Sequence, residues 1–258
     1  MKEMHCFTFD IETIPDVEFG RQMWNLEDLS DEDVATAMTF MRQQETGSDF
    51  LPLHQHKIVA ISVAFRTGDS FKIWSLGDNT SDEADLVSRF YDGIDRYSPN
   101  LVSWNGTGFD LPVLHYRALK NNIQAPRYWE IGDSDRDFRY NNYVNRYHWR
   151  HTDLMEVLSA FQGRGRASLE QMAVLLGFPG KLGMSGDQVW STYLNGGIDD
   201  IRNYCETDVL NTYLIYLRFE FMRGNLDEKG LMREYQLVRS TLSSINLTHL
   251  NKFLAAWP

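Results

Sequence analysis

Apolar and polar positions follow two rhythms along this chain. Residues 5–12, 57–65, 70–76 and 100–104 are short runs rich in β-branched and aromatic side chains, the pattern of strands. Thr67-Gly68-Asp69, between the second and third runs, reads as a turn that makes them a hairpin. A helical period takes over at 82–97, where Leu86, Phe90 and Ile94 share one face and Ser81 stands as the candidate N-cap. It returns after Asp110, through Leu111, Leu114, His115 and Ala118. Over 168–176 a Ser-x-x-Gln capping pattern opens a stripe of Leu169, Met172, Ala173 and Leu176. Further helices fit 185–194, 198–220 and 229–254, so the carboxy-terminal half is expected to be mostly helical.

Two stretches break the pattern. Residues 15–55 form a long polar excursion around one short helix, with Ser30 as its cap and Val34, Ala37, Met38 and Met41 on its apolar face. Residues 127–150 hold Arg127, Arg136, Arg139, Tyr140, Tyr143, Arg146, Tyr147 and Arg150 without a sustained period. They suit either a solvated surface or a rim for single-stranded nucleic acid, which needs aromatic faces and local positive charge. Neither stretch reads as a boundary and no repeat is present. The expectation is one α/β domain over residues 1–258, with insertions near 15–55 and 127–150.

Composition narrows this picture. At 258 residues, 43% hydrophobic and 24% charged, the chain is expected to be globular with a substantial core. It has no apolar run of membrane-spanning length, and its first residues, MKEMHCFTFDIE, do not fit a signal peptide. Cys6 and Cys205 are too few for a disulfide scaffold, so both are read as core thiols and the expected compartment is the cytoplasm. A net charge of −11 weighs against coating nucleic acid through bulk electrostatics. It leaves open an enzyme that holds a polyanion through metal ions and a few basic side chains.

The candidate chemistry begins at Thr8-Phe9-Asp10-Ile11-Glu12-Thr13. Side chains at i and i+2 of a strand share a face, so Asp10 and Glu12 stand side by side. Two desolvated like charges are costly unless a cation neutralises them, and carboxylates are the ligands of hard Mg²⁺ or Mn²⁺. A solvated strand end would read the same way. In Ser103–Leu114 a glycine-bearing turn carries Asn105, Phe109 and Asp110 to a helix start, where Asp110 equally fits an ordinary N-cap. Gly106 and Gly108 would let the backbone approach a ligand closely. On a later helix Tyr204 and Asp208, at i and i+4, share one face, as a core tyrosine with its partner also would. His54 with His56, and His148 with His151 and Asp153, lack the further histidine a zinc site needs.

The order D-x-E on a first strand, N-x-x-x-F-D after a strand and Y-x-x-x-D on a late helix resembles the DEDD superfamily of 3′–5′ exonucleases, in its tyrosine-bearing branch. Within it, the chain looks like the stand-alone bacterial exonucleases related to the exonuclease domain of B-family DNA polymerases. The longer stretches 50–62, 146–158, 166–183 and 203–219 support it, from residue 5 to about 225. The resemblance implies a ribonuclease H-like α/β fold, a mixed sheet flanked by helices. It implies two Mg²⁺ or Mn²⁺ ions, with Asp10 bridging, Glu12 and Asp208 on one ion and Asp110 on the other. Tyr204 would orient the attacking water, and Asp153 would have a supporting role. Thr13, Ile14, Asn105 and Phe109 would hold the substrate, a single-stranded 3′ end, with DNA favoured over RNA and no membrane partner. The rivals are an exoribonuclease trimming RNA, an inactive nucleic-acid-binding protein on the same fold, and a metallohydrolase of small phosphate esters.

Overall fold

Cys6–Pro15 forms β1, and its alternating side chains decide how the rest of the molecule is layered. In the computed structural model, which describes residues 5–258, β1 pairs with β2 (His56–Thr67), β2 with β3 (Ser70–Ser75), and β1 also with β4 (Asn100–Ser103). β5 (His151–Asp153) completes a five-stranded sheet of order β3-β2-β1-β4-β5. The first three strands are antiparallel neighbours, while β4 and β5 run parallel to β1 and to each other. This mixed sheet with helices on both faces is the ribonuclease H-like arrangement that the resemblance implies.

Helices cover the sheet according to the strand period. Phe7, Phe9 and Ile11 of β1 pack on α3 (Glu83–Tyr97) and α4 (Asp110–Lys120) through Leu86, Phe90, Leu111 and Leu114. Cys6, from the alternate set, packs on the other side against α8 (Ile198–Met222), among Tyr213, Leu214 and Leu217. Asp10 and Glu12 belong to that second set and therefore face α8. α8 is buried along most of its length because it is enclosed by the sheet and by α6 (Leu169–Leu175), α7 (Val189–Leu194), α9 (Glu228–Ile245) and α10 (Thr248–Ala256). That enclosure also buries polar side chains of α8, Glu206, Asp208 and Asn211 among them. No helix among the described residues is long and apolar enough to cross a membrane.

The excursion at 15–55 contains α1 (Val17–Trp24) and α2 (Asp31–Thr46), packed on each other through Val34, Met38, Phe19 and Trp24. Ser30 caps α2 as expected, but α1 was not legible. The pair is tied to the core where Arg117 of α4 meets Asp16 and Glu83 at 2.6 Å, fully buried; removing one partner of such a pair typically costs about 3–5 kcal/mol.

Several boundaries differ from the sequence reading. The cap of α3 is Asp82, which accepts from the Asp85 amide, whereas Ser81 donates to the Asp85 carboxylate. The helix expected over 229–254 breaks at Asn246, which is left-handed at φ 57° and ends α9 before α10 begins. The helix expected over 185–194 starts only at Val189, behind a 3-10 turn at Gly186–Gln188. The capping box at Ser168 and Gln171 forms as its spacing predicts.

Segment 127–150 spends three of its arginines on the fold. Arg127 bonds Asp135 and Ser98 and stacks on Phe138; Arg150 bonds Ser98 and Asn141 and covers the same ring. Arg146 pairs with buried Glu156 of α5 (Leu154–Leu158), which also takes Arg166. Tyr143 is buried, its hydroxyl donating to the Pro99 carbonyl at the start of β4. Much of the segment therefore braces one end of the sheet instead of forming an open basic rim.

Candidate active site

β1 and β4 stay in register only from Cys6↔Asn100 to Thr8↔Val102 and then part. The crevice that opens beyond these carboxyl ends is where ligands gather in sheets of this kind. Asp10 and Glu12 project beside it from β1, and a register shift between Glu12 and Thr13 re-aims the strand just past them. Asp110 enters as the first residue of α4, 3% exposed, with Phe109 as a cap residue that makes no side-chain cap bond. Asp110 is thus not the ordinary N-cap its position allowed. Tyr204 and Asp208 reach the same place from α8.

The turn that carries Asp110 is built around Asp153. Its Oδ1 accepts the Asn105 amide at 3.0 Å, its Oδ2 accepts the Thr107 amide at 2.9 Å, and it also takes the Glu156 amide at the start of α5. Asn105 sits at φ 63°, a left-handed conformation that asparagine tolerates better than most residues. A Cβ at Gly106 would collide with Ser103, and one at Gly108 with the Asn105 side chain. These glycines are required by the turn's own packing.

Electrostatics binds the four acids into one group. Burial, then the charges of Asp110, Glu12 and Asp208, push the Asp10 carboxyl well above the usual range. Glu12 is raised by burial and by Asp208 and Asp110. Burial raises Asp110 to about 7 and Asp208 to about 6. Opposing these shifts, the charge of exposed Lys181 lowers both Glu12 and Asp208. Burial and the Asp208, Glu12 and Asp10 charges drive the Tyr204 phenol far up, so it stays protonated.

The other candidate ligands resolve differently. Ligand atoms of Asp10, Glu12 and Cys205 lie within 4.8 Å of one another. Cys205 Sγ donates toward the Asp10 carbonyl at 3.4 Å and Oδ2 at 3.7 Å, and burial holds the thiol well above its ordinary pKa. A protonated soft donor adds little for a hard cation, so the carboxylates are the fitting ligands and the donor set suits Mg²⁺ or Mn²⁺. His56 bonds Thr13 Oγ1 at 2.9 Å and the Leu51 carbonyl, His151 bonds Ser103, and His148 accepts from the Asn142 amide. No histidine-bearing metal cluster occurs among the described residues. Thr13 thus has its hydroxyl engaged, and Ile14 buries its side chain with Val59, Val189 and Ile201. Asn105 and Phe109 are half-buried at the crevice.

Residues 48–257 match a family described as a predicted 3′–5′ exonuclease related to the exonuclease domain of PolB. The chain belongs to that family. Membership covers Asp110, Tyr204, Asp208 and Lys181; Asp10 and Glu12 lie before the matched span, although β1 is the central strand of the sheet. No curated protein matches the chain.

Two residues of the site escaped the sequence reading. Cys205 precedes Asp208 by three positions on α8, and that spacing alone puts them on neighbouring parts of one face. Lys181 stands in Gly177–Gly183, a glycine-rich link with no period to place it. Its neighbour Gly180 is held on α8 by Asn211, which accepts the Gly180 amide at 3.2 Å and donates to its carbonyl at 2.9 Å. A buried asparagine one turn beyond Asp208 was the available signal.

Proposed function

We propose that the chain is a metal-dependent 3′–5′ exonuclease that shortens single-stranded nucleic acid, DNA in preference to RNA, and releases nucleoside 5′-monophosphates. The observation that carries this reading is the convergence of four carboxylates from β1, α4 and α8 on one crevice, where the charges of Asp110, Glu12 and Asp208 raise Asp10, those of Asp208 and Asp110 raise Glu12, and Lys181 is the cation that opposes the shifts of Glu12 and Asp208. Such a cluster is unstable as an isolated anion and suited to divalent cations. Asp10, Glu12 and Asp208 would hold one ion and Asp10 with Asp110 a second, supplying an acidified water and neutralising charge on the leaving 3′-oxygen.

The chain's own groups do the rest. Tyr204 keeps its proton and orients the attacking water by a hydrogen bond; a phenol raised this far cannot act as the base. Asn105 and Phe109 hold the terminal nucleotides on the turn braced by Asp153, and Thr13 with the Ile14 backbone flanks the scissile end. Lys181 is placed to meet a phosphate that approaches the acids. Kinship with the exonuclease domain of PolB supports DNA as the preferred substrate.

The test is direct. A 5′-labelled single-stranded DNA oligonucleotide with Mg²⁺ or Mn²⁺ should give a ladder shortening from the 3′ end, abolished by chelator, with the matching RNA degraded more slowly. Activity that survives excess chelator, or cutting of a closed circular strand, overturns the proposal.

A further inference from the structure

Phe50 is 56% exposed, yet its backbone amide and carbonyl and its ring all have partners. Its amide donates to Ser48 Oγ at 3.2 Å, and its carbonyl accepts from Arg42 Nε at 3.2 Å. Its ring lies 5.3 Å from His56 and 5.8 Å from Phe109. His56 in turn meets the Phe109 ring edge-on at 5.2 Å and bonds Thr13 on β1. Three rings thus form a continuous wall from Thr13 and Phe109, beside the acidic crevice, out to the free face of Phe50. Beyond them, exposed His54 contacts Tyr116 of α4, itself 47% exposed.

We propose that Phe50 is a stacking platform for a nucleobase of the single strand, upstream of the terminal nucleotides at Phe109; this rests on the nuclease reading above. The rings of Phe50 and Phe109 are inclined by 57°, so they cannot sandwich one base between parallel faces. Each offers its face to a different nucleotide. Stacking is indifferent to sequence because every base has a π-face, which suits an enzyme that must accept each new 3′ end. A platform already fixed by backbone and ring contacts loses little conformational freedom on binding. The Arg42 guanidinium at the Phe50 carbonyl also puts positive charge beside the strand's path on a molecule of net charge −11.

The experiment places 2-aminopurine third from the 3′ end of an oligonucleotide and follows its fluorescence with the full chain in chelator, where nothing is cleaved. Wild-type protein should quench the probe. Phe50→Ala and Phe50→Leu should not, although Phe50→Leu keeps an apolar cover over His56 and the wild-type melting temperature. Phe50→Trp should quench again. With metal present, Phe50→Ala should raise KM roughly tenfold to hundredfold, the scale of one lost stack, and leave kcat within about twofold. Equal quenching and KM in wild type and Phe50→Leu overturns the platform while leaving the nuclease intact. A wild-type chain that cleaves no oligonucleotide defeats the nuclease reading, and the quenching result then decides the platform by itself.

Discussion

Asp208 has a pKa near 6 because burial penalises its charged form more than Tyr204 and Lys181 favour it. The folded value lies above the unfolded one, so the stability this group contributes is present below about pH 4 and lost as pH rises through about 6. Asp110, raised to about 7, acts in the same direction. The metal-free protein therefore carries a penalty at neutral pH that is on the order of 3 kcal/mol at Asp208 alone. Asp208→Asn should remove it, and in chelator at pH 8 the variant should melt several degrees above wild type, with the difference gone near pH 4. Adding Mg²⁺ at pH 8 should raise the wild-type melting temperature by more than that of the variant, which has lost one ligand of one ion. A variant that melts lower than wild type at pH 8 would show that the carboxylate is held by attractive contacts, against the strain inferred here.

Among the elements, the turn from Ser103 to Asp110 depends on a residue from a different strand. Asp153 accepts two amides of that turn and one from α5, so Asp153→Asn loses charge-assisted bonds worth about 1.5–3 kcal/mol each and loosens Phe109 and Asp110 together. Both the melting temperature and kcat of that variant should fall, and an unchanged kcat would separate the brace from the site. The sequence made the central elements plain because their periods are strong: β1 to β4 and α8 fall within two or three residues of the expected bounds. β5 was invisible, being three residues long with His, Thr and Asp, none of which announces a strand. The long helix expected over 229–254 hid its break because apolar positions continue on both sides of Asn246, at Ile245 and Leu247, and only the left-handed backbone of Asn246 ends α9. At the site, spacing brought Asp10 with Glu12 and Tyr204 with Asp208 onto shared faces. Lys181 could not be found that way, since a loop position is set by a tertiary clamp.

Over the whole molecule, a charge of −11 sets how a polyanion can be held. Arg127, Arg146 and Arg150 are engaged with Asp135, Glu156 and the backbone, which leaves exposed Arg136 and Arg139 as that segment's cations for displacing counterions. The logarithm of single-strand affinity against the logarithm of salt concentration should therefore fall with a slope of only about one to two. Fluorescence titrations at several salt concentrations would measure it, and a slope near six would reveal a basic surface unaccounted for. The acids themselves are scattered along the chain: Asp10 is on the first strand, Asp208 on α8. Contacts that distant in sequence close late, because the intervening loop must lose its entropy first. During synthesis, β1, the hairpin and α4 leave the ribosome well before α8. On the proposed activity, a nascent chain tethered beside its own messenger holds Asp10, Glu12 and Asp110 yet lacks Tyr204 and Asp208, and it stays harmless until α8 has emerged and docked.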